Sequence, residues 1–250
     1  MNNPKNSLID FDFLKKFEDN ERLLYDTYIV VRIDGKCFTP FCKLYNLAKP
    51  FDERLINLMV SCGKNVLQQF PSLVLGYGQS DEFSFVFRKD TTLFGRSRDE
   101  IISGIVSVFA SSFVFLWDKY FINLPLQKPP GFDARAVLYP NFEKLKEYLC
   151  WRQADSHINC FYNYTLNTII NDGKMDGPAA TEFLKGKEAQ EKYQILREHG
   201  IEYNELPLVH RRGTVLLNIQ NTIIETTDDM IQESFWSKYG HLFISDNSSQ

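Results

Sequence analysis

The sequence predicts an α+β protein built on a ferredoxin-like βαββαβ core over residues 1–140, with a helical C-terminal extension carrying one late strand over 141–250 and packed on that core. Three observations lead there. The run Thr27 to Ile33, TYIVVRI, is β-branched and apolar enough for a buried strand, and it ends at the turn signal Asp34-Gly35. Two short strand candidates, 72–77 and 82–87, flank Gly78-Gln79-Ser80-Asp81, a hairpin turn, and the second alternates Phe83, Phe85 and Phe87 on one face. Between and after them come two stretches of helical periodicity, and a further strand candidate spans Phe132 to Tyr139.

Taken in order, the chain opens with an amphipathic helix expected over 10–21, followed by the first strand. A helix is expected over 52–70, where Leu55, Met59, Cys62, Val66 and Phe70 share one face, Asp52 and Glu53 make an acidic first turn, and Pro50 and Pro71 bracket the segment. After the hairpin, Ile105, Phe109, Phe113 and Leu116 set a long apolar helix over 99–121. Beyond Pro140 the reading is helix over 141–170, a Gly-rich break over 172–178, more helix to His199, a strand over 213–219, and a frayed tail ending DNSSQ. The order β-α-β-β-α-β has a geometric consequence. A right-handed first crossover leaves a gap between two parallel strands, and the return strand of the hairpin fills it. The end of the first strand and the hairpin turn then meet at one sheet edge, so Asp34 and Asp81 become neighbours.

Composition narrows the function classes. A 250-residue chain that is 44% hydrophobic buries a sizeable core, so disorder is not expected. Against 28 Lys and Arg stand 32 Asp and Glu, and the net charge of −4 argues against a surface that coats nucleic acid indiscriminately. Five scattered cysteines, Cys37, Cys42, Cys62, Cys150 and Cys160, form no CxxC pair, which signals neither a disulfide framework nor a zinc site and fits a reducing, cytoplasmic setting. The first residues lack a signal-type apolar stretch, Asp10 and Asp12 disfavour a mitochondrial presequence, and no run approaches about 18 consecutive apolar residues. No membrane partner is expected.

Two carboxylates brought together at a sheet edge repel each other unless a cation lies between them. Mg²⁺, with its preference for oxygen, answers that need, and such a pair can hold two ions for transfer at phosphorus. Asp34 and Asp81 are therefore the candidate catalytic and metal-binding residues of a polymerase-type palm, with the Gly35 carbonyl as a further ligand because glycine lets the main chain approach closely. The loop Gly35-Lys36-Cys37-Phe38-Thr39 can aim N–H groups at a triphosphate, Lys36 and Lys49 can add charge, and Ser80 can donate to a phosphate oxygen.

The segments VVRIDGKCF, AKPFDER, YGQSDEFSFVF, PPGFDAR, WRQADSHIN and NELP, in this order from about Lys15 to Leu217, resemble the tRNA-histidine guanylyltransferase family, its repair members included. That resemblance implies a palm working in the 3′-to-5′ direction, which adds a guanosine to the 5′ end of histidine tRNA. ATP activates the 5′-phosphate and the 3′-hydroxyl of GTP then attacks it. It further implies Asp34, Gly35 and Asp81 as metal ligands, residues 34–39 with Ser80 and Asp81 as the nucleotide site, two Mg²⁺ ions, GTP and ATP as substrates, and a homotetramer. His157 in the HIN segment would help recognise tRNA; its competing reading is a packed or surface helix residue. Asn159 and Asn163, one turn apart, share a face that could read base edges or phosphate, and Trp151 and Arg152 could stack on bases.

This chain departs from the family pattern after HIN, where Cys160, Phe161, Tyr162 and Asn163 replace Asn-Leu-Tyr-Asn. Of a basic cluster only Arg96 and Arg98 remain, and the usual Asp-Lys-Asn-Glu reads Glu191-Lys192-Tyr193-Gln194. The departures spare the metal site and fall on candidate RNA contacts, Arg96 and Lys192 among them. Two competing functions stay open: a template-dependent enzyme rebuilding truncated 5′ ends of several tRNAs, and a non-catalytic RNA-binding module with aromatics on an open sheet face. A nucleotide cyclase shares the palm logic but gives no account of the HIN helix.

Overall fold

The first strand, β1 (Tyr28–Lys36), carries four consecutive residues, Tyr28 to Val31, that are buried on both sides of the sheet. The structure, a computed structural model, describes Phe17 and residues 21–244. The helix expected over 10–21 thus lies outside the described residues except at Phe17 and Glu21, and the DNSSQ tail lies outside them altogether. β1 continues three residues past the expected end at Ile33, because Gly35 and Lys36 still pair with Phe132 and Gly131 of β4 (Gly131–Tyr139). The loop expected after Asp34 is shorter than predicted: Cys37 turns into the left-handed region at φ 56°, and a short helix, α1 (Phe38–Leu44), starts at once.

The following elements come close to expectation. α2 (Glu53–Gln69) is capped by Asp52, whose side chain accepts the Arg54 N–H, and it buries Leu58, Met59, Cys62 and Val66. β2 (Leu73–Gln79) and β3 (Glu82–Phe87) enclose a two-residue turn, Ser80-Asp81, with Ser80 at φ 53°. α3 (Arg98–Tyr120) follows a 3-10 turn at Leu93–Arg96. By length and mean hydropathy (1.8) α3 could cross a membrane. Its Ile101, Ile105, Phe109, Phe113 and Trp117 are instead buried in the core under β1 and β4, the behaviour of a core helix. α4 (Phe142–Asn171), capped by Asn141, is the long helix expected after Pro140. The predicted second half of that region divides into α5 (Gly177–Leu184), α6 (Ala189–Glu198) and α7 (Leu208–Arg212). β5 (Thr214–Ile219) then turns through Gln220 and Asn221, both left-handed, into β6 (Thr222–Thr226), which sequence reading missed, and α8 (Glu233–Tyr239) follows.

All six strands form one antiparallel sheet in the order β4-β1-β3-β2-β5-β6. β3 pairs with both β1 and β2, so it sits between two strands that run the same way. One face packs on α2 and α3 through Ile29, Val31, Ile33, Phe83, Phe85 and Phe87. The other packs on α4 and α8 through Tyr28, Val30, Tyr77, Val86, Val215 and Leu217. With both faces covered, Phe83, Phe85 and Phe87 are 0% exposed. They cannot serve as an RNA-stacking platform, which removes the observation that suited a non-catalytic RNA-binding module.

Phe109 joins α3 to the sheet, with its ring centroid 5.7 Å from that of Phe83 and 5.2 Å from that of Phe132. Phe109→Ala would leave a cavity where no water has a partner, at a cost of about 3–5 kcal/mol. Urea unfolding of the variant is expected to show that loss as a lower midpoint with an unchanged slope.

Candidate active site

The strand pairing brings the two acids together. β1 and β3 are in register at Asp34↔Glu82, so the turn just before Glu82 folds over the end of β1, and the Gly35 N–H donates to the Asp81 carbonyl at 3.0 Å. Gly35 is there because nothing larger fits. A Cβ at that position would lie 2.5 Å from the Phe38 ring and 3.0 Å from the Asp81 Cβ. Ser80 Oγ donates to Asp81 Oδ1 at 3.0 Å. Burial, and then the nearby charge of Asp34, raise the Asp81 carboxyl above the ordinary aspartate range, against the Ser80 hydrogen bond. Asp34 is partly exposed and meets Arg32, whose guanidinium lies 3.4 Å from its Oδ2.

Beside this pair opens a cavity of about 260 Å³. Thr39 of α1, Lys49, Phe51, Ser80, Asp81 and, from α4, Asn163 are among the residues that line it. Asp52 at its rim is fixed from several sides. Burial alone would push its carboxyl up, but hydrogen bonds from Arg54 and the Ala48 N–H outweigh burial and hold it below the ordinary range. Cys42, also in the lining, is pushed up to about 11 by burial and then by Asp81 and Asp52, so it stays a neutral thiol near neutrality. The site therefore offers two converging carboxylates beside a roomy cavity with one lysine in its lining.

Comparison with known proteins gives the family. Residues 11–140 match the family described as tRNAHis guanylyltransferase (Thg1), and residues 143–240 match the Thg1 C terminal domain. A probable tRNA(His) guanylyltransferase of Drosophila melanogaster is 40% identical over 238 residues, covering 92% of this chain and 83% of its own length. The tRNA(His) guanylyltransferase of Schizosaccharomyces pombe is 45% identical over 206 residues, 82% of this chain and 78% of its own. The crystal structure of the Saccharomyces cerevisiae enzyme superimposes with a TM-score of 0.81 at 38% identity, over 88% of this chain and 96% of that one. The chain belongs to the tRNA-histidine guanylyltransferase family. A bacterial Thg1-like protein in complex with ATP shares the fold, with a TM-score of 0.74 at 22% identity over 94% of this chain and 99% of that one.

Within this guanylyltransferase family member the predicted site residues separate. Phe38, Thr39, Lys49, Ser80, Asp81 and Asn163 line the cavity, Phe38 with its ring largely in the core. Asp34 and Gly35 sit at its edge through Asp81, while Lys36 and Cys37 are exposed beyond it. His157 is exposed on α4 and meets the Tyr203 hydroxyl at 3.1 Å, and burial, then Arg211 and Arg212, lower its pKa. Asn159 is exposed and donates to Asp155, so it does not join Asn163 at the cavity, and Lys192 lies on α6 outside it.

Two expected RNA contacts need correction. Arg96 is 0% exposed and donates to the carbonyls of Leu23, Leu24, Thr27 and Thr91, which makes it a clamp on the chain entering β1. Arg152 is 6% exposed, with Nε 2.8 Å and Nη2 2.9 Å from the two Glu82 carboxylate oxygens. Neither has a guanidinium free to meet RNA. Trp151, beside Arg152, is 56% exposed rather than core.

Sequence reading missed Arg32, Glu82, Phe51, Asp52 and Asn167. The signals were present: Arg32 lies two residues before Asp34 on the same strand face, and Asn167 lies one helical turn beyond Asn163. Glu82 directly follows Asp81.

An aspartate with a raised folded-state pKa holds its proton more tightly folded than unfolded. Its contribution is present at low pH and is lost as pH rises through the folded pKa, so ionised Asp81 opposes folding at neutrality. Asp81→Asn is therefore expected to raise the melting temperature of the metal-free protein at pH 7, with less gain at pH 3, while nucleotide transfer falls by roughly 10²–10³. Thermal scans at both pH values paired with transfer rates test the two signs together. Gly35→Ala, which must push Phe38 or the Asp81 turn aside, is expected to cost about 10² in transfer rate through misplacement alone; steady-state kinetics would show it mainly in kcat.

Proposed function

We propose that this protein adds a guanosine to the 5′ end of histidine tRNA by 3′-to-5′ nucleotidyl transfer. The observation that carries the reading is the meeting of Asp34 and Asp81 at the Gly35 to Asp81 backbone bond, at the rim of a nucleotide-sized cavity. The family relationship and the names of relatives at 40–45% identity supply the substrate class. In this reading sheet order β4-β1-β3-β2 and its two covering helices form a ferredoxin-like palm over 1–140, and 141–250 is the extension that contributes Asn163.

The donor set suits Mg²⁺: two carboxylates and the Gly35 carbonyl are hard oxygens, and burial, with the charge of Asp34 added to it, raises the Asp81 carboxyl. When bound, two such ions would neutralise charge on the triphosphate and lower the pKa of an attacking hydroxyl. The chain's own groups do the positioning. Lys49, Thr39 and Ser80 line the cavity in which a triphosphate would sit, and Asn163 lines it from α4.

Chemically, a 5′-phosphate oxygen of the RNA attacks the α-phosphorus of ATP and pyrophosphate leaves. The GTP 3′-hydroxyl then attacks the activated 5′-phosphorus, losing its proton as AMP leaves, and the new 5′ end carries a triphosphate whose α-phosphorus water attacks to release pyrophosphate. We further read the enzyme as a homotetramer, and the five free cysteines among the described residues fit a cytoplasmic setting.

The experiment is incorporation of labelled GTP into 5′-monophosphorylated histidine tRNA with ATP and Mg²⁺, run beside a 5′-truncated non-histidine tRNA. Labelling of the first substrate at the higher kcat/KM is the expected outcome, with loss of signal on chelation of the metal. Preferential labelling of the truncated tRNA would replace this reading with that of a 5′-end repair polymerase, and no labelling of either would overturn both.

A further inference from the structure

Behind the Ser80-Asp81 turn lies a second, much smaller cavity of about 20 Å³. Phe51 and Ser80 line both this cavity and the larger one, so the two share a wall, and the smaller is completed by Gly78, Gln79, Thr214 and His210. His210 comes from α7, far along the chain, and is 6% exposed. Its ring stacks on Phe51 with centroids 4.9 Å apart and planes at 25°, and its Nδ1 lies 2.7 Å from the Tyr164 hydroxyl. Its Nε2 is buried and has no hydrogen-bond partner among the described residues.

Whichever of the Tyr164 hydroxyl and Nδ1 donates in their bond, Nε2 faces nothing, as an N–H donor when the phenol donates and as an acceptor when Nδ1 does. Burial lowers the pKa of His210, against a smaller upward effect of Glu53, which is consistent with a neutral ring. An unpaired buried N–H costs about as much as a lost hydrogen bond, and native proteins rarely tolerate one. A cavity above roughly 10–15 Å³ takes one water where two or more polar partners meet. Here Nε2 is one, and the Gly78–Ser80 segment lines the same cavity beside the apolar Ile56, Met59, Val60 and Phe83.

We propose that this cavity is a site for one ordered water, bonded to His210 Nε2 and to the backbone of Gly78–Ser80, and that His210 is thereby a positioning residue for Asp81. The role rests on reading Asp81 as a metal-binding residue; the water site does not. The Gly35 N–H fixes the turn from the β1 side. A water held by α7 fixes it from behind, and Phe51, clamped between His210 and the nucleotide cavity, is set by the same ring. A phenylalanine at 210 would stack equally well on Phe51, so the imidazole is explained by its two nitrogens.

A high-resolution crystal structure of the wild-type protein decides the first half. The expected result is a single density peak about 2.7–3.2 Å from Nε2 and from a Gly78–Ser80 main-chain atom; a dry cavity overturns the proposal. For the second half, His210→Phe keeps the ring and removes the water's donor. It is expected to lower kcat for guanosine addition about three- to ten-fold, the scale of one net hydrogen bond, with KM for GTP within two-fold. Mn²⁺ affinity by calorimetry should weaken by a similar factor, and His210→Gln, which restores a donor near Nε2, should recover most of both.

Unchanged kcat and Mn²⁺ affinity in His210→Phe, or a loss that Gln does not recover, would overturn the positioning role. If His210→Phe does not fold, comparison of His210→Gln with wild type decides alone, and a loss there with the water absent from its crystal structure supports the role whereas a loss with the water retained overturns it. Wild-type protein inactive on every tRNA would defeat the proposed function, while the density at Nε2 would still decide the water site.

Discussion

Two like charges have to be held side by side for this site to exist, and backbone pairing does the holding. The β1–β3 register delivers Asp34 opposite Glu82, and the Gly35 N–H captures the Asp81 carbonyl. Neither contact involves a carboxylate, so the repulsion between the side chains is not relieved by the bonds that impose it. Burial raises the pKa of Asp81, and that repulsion adds to the rise. The strands that impose it are among the most buried in the molecule, with Ile29 to Val31, Phe83, Phe85 and Val86 all 0% exposed. Burial on that scale is what lets a sheet edge carry a destabilising pair.

A second layer of charge ties the C-terminal half to this edge. Glu82 sits between Arg152, from α4, and Arg32, which in turn faces Asp34. Burial raises the Glu82 carboxyl, and the two arginines work against that rise. The chain Asp34–Arg32–Glu82–Arg152 runs from a partly exposed acid to a buried helix residue, so α4 and the strands β1 and β3 share one ionic network. Removing Glu82 would leave the buried Arg152 with Asp155 as its remaining carboxylate. The same geometry explains why Arg152, whose position suggested an RNA contact, faces inward.

Much of the architecture was legible because its signals are local. The β-branched run at 27–33, the alternating phenylalanines and the helical spacing of Ile105, Phe109 and Phe113 each specify an element from a few neighbours. The misses share a cause. α1 spans only seven residues and is stabilised by Phe38 and Phe41 packing on Phe113, residues distant in sequence. The β5–β6 turn is made by Gln220-Asn221, a weaker signal than Asn-Gly for two left-handed residues, and it holds because β5 pairs with β2. Arg96 reads as a surface charge until the incoming strand wraps its guanidinium in carbonyls.

By itself, then, the sequence determined the alternation of strands and helices, the acids at a strand end and a hairpin turn, and through topology their convergence. It did so because strand periodicity, turn chemistry and crossover handedness act over short stretches of chain. Which polar residues face the site was decided only in three dimensions: Asn163 turned to the cavity and Asn159 away, Arg152 and Arg96 were enclosed, and His210 was brought behind the turn that carries Asp81. Burial and pairing of a long side chain depend on what packs against it from elsewhere in the chain, and no local pattern encodes that.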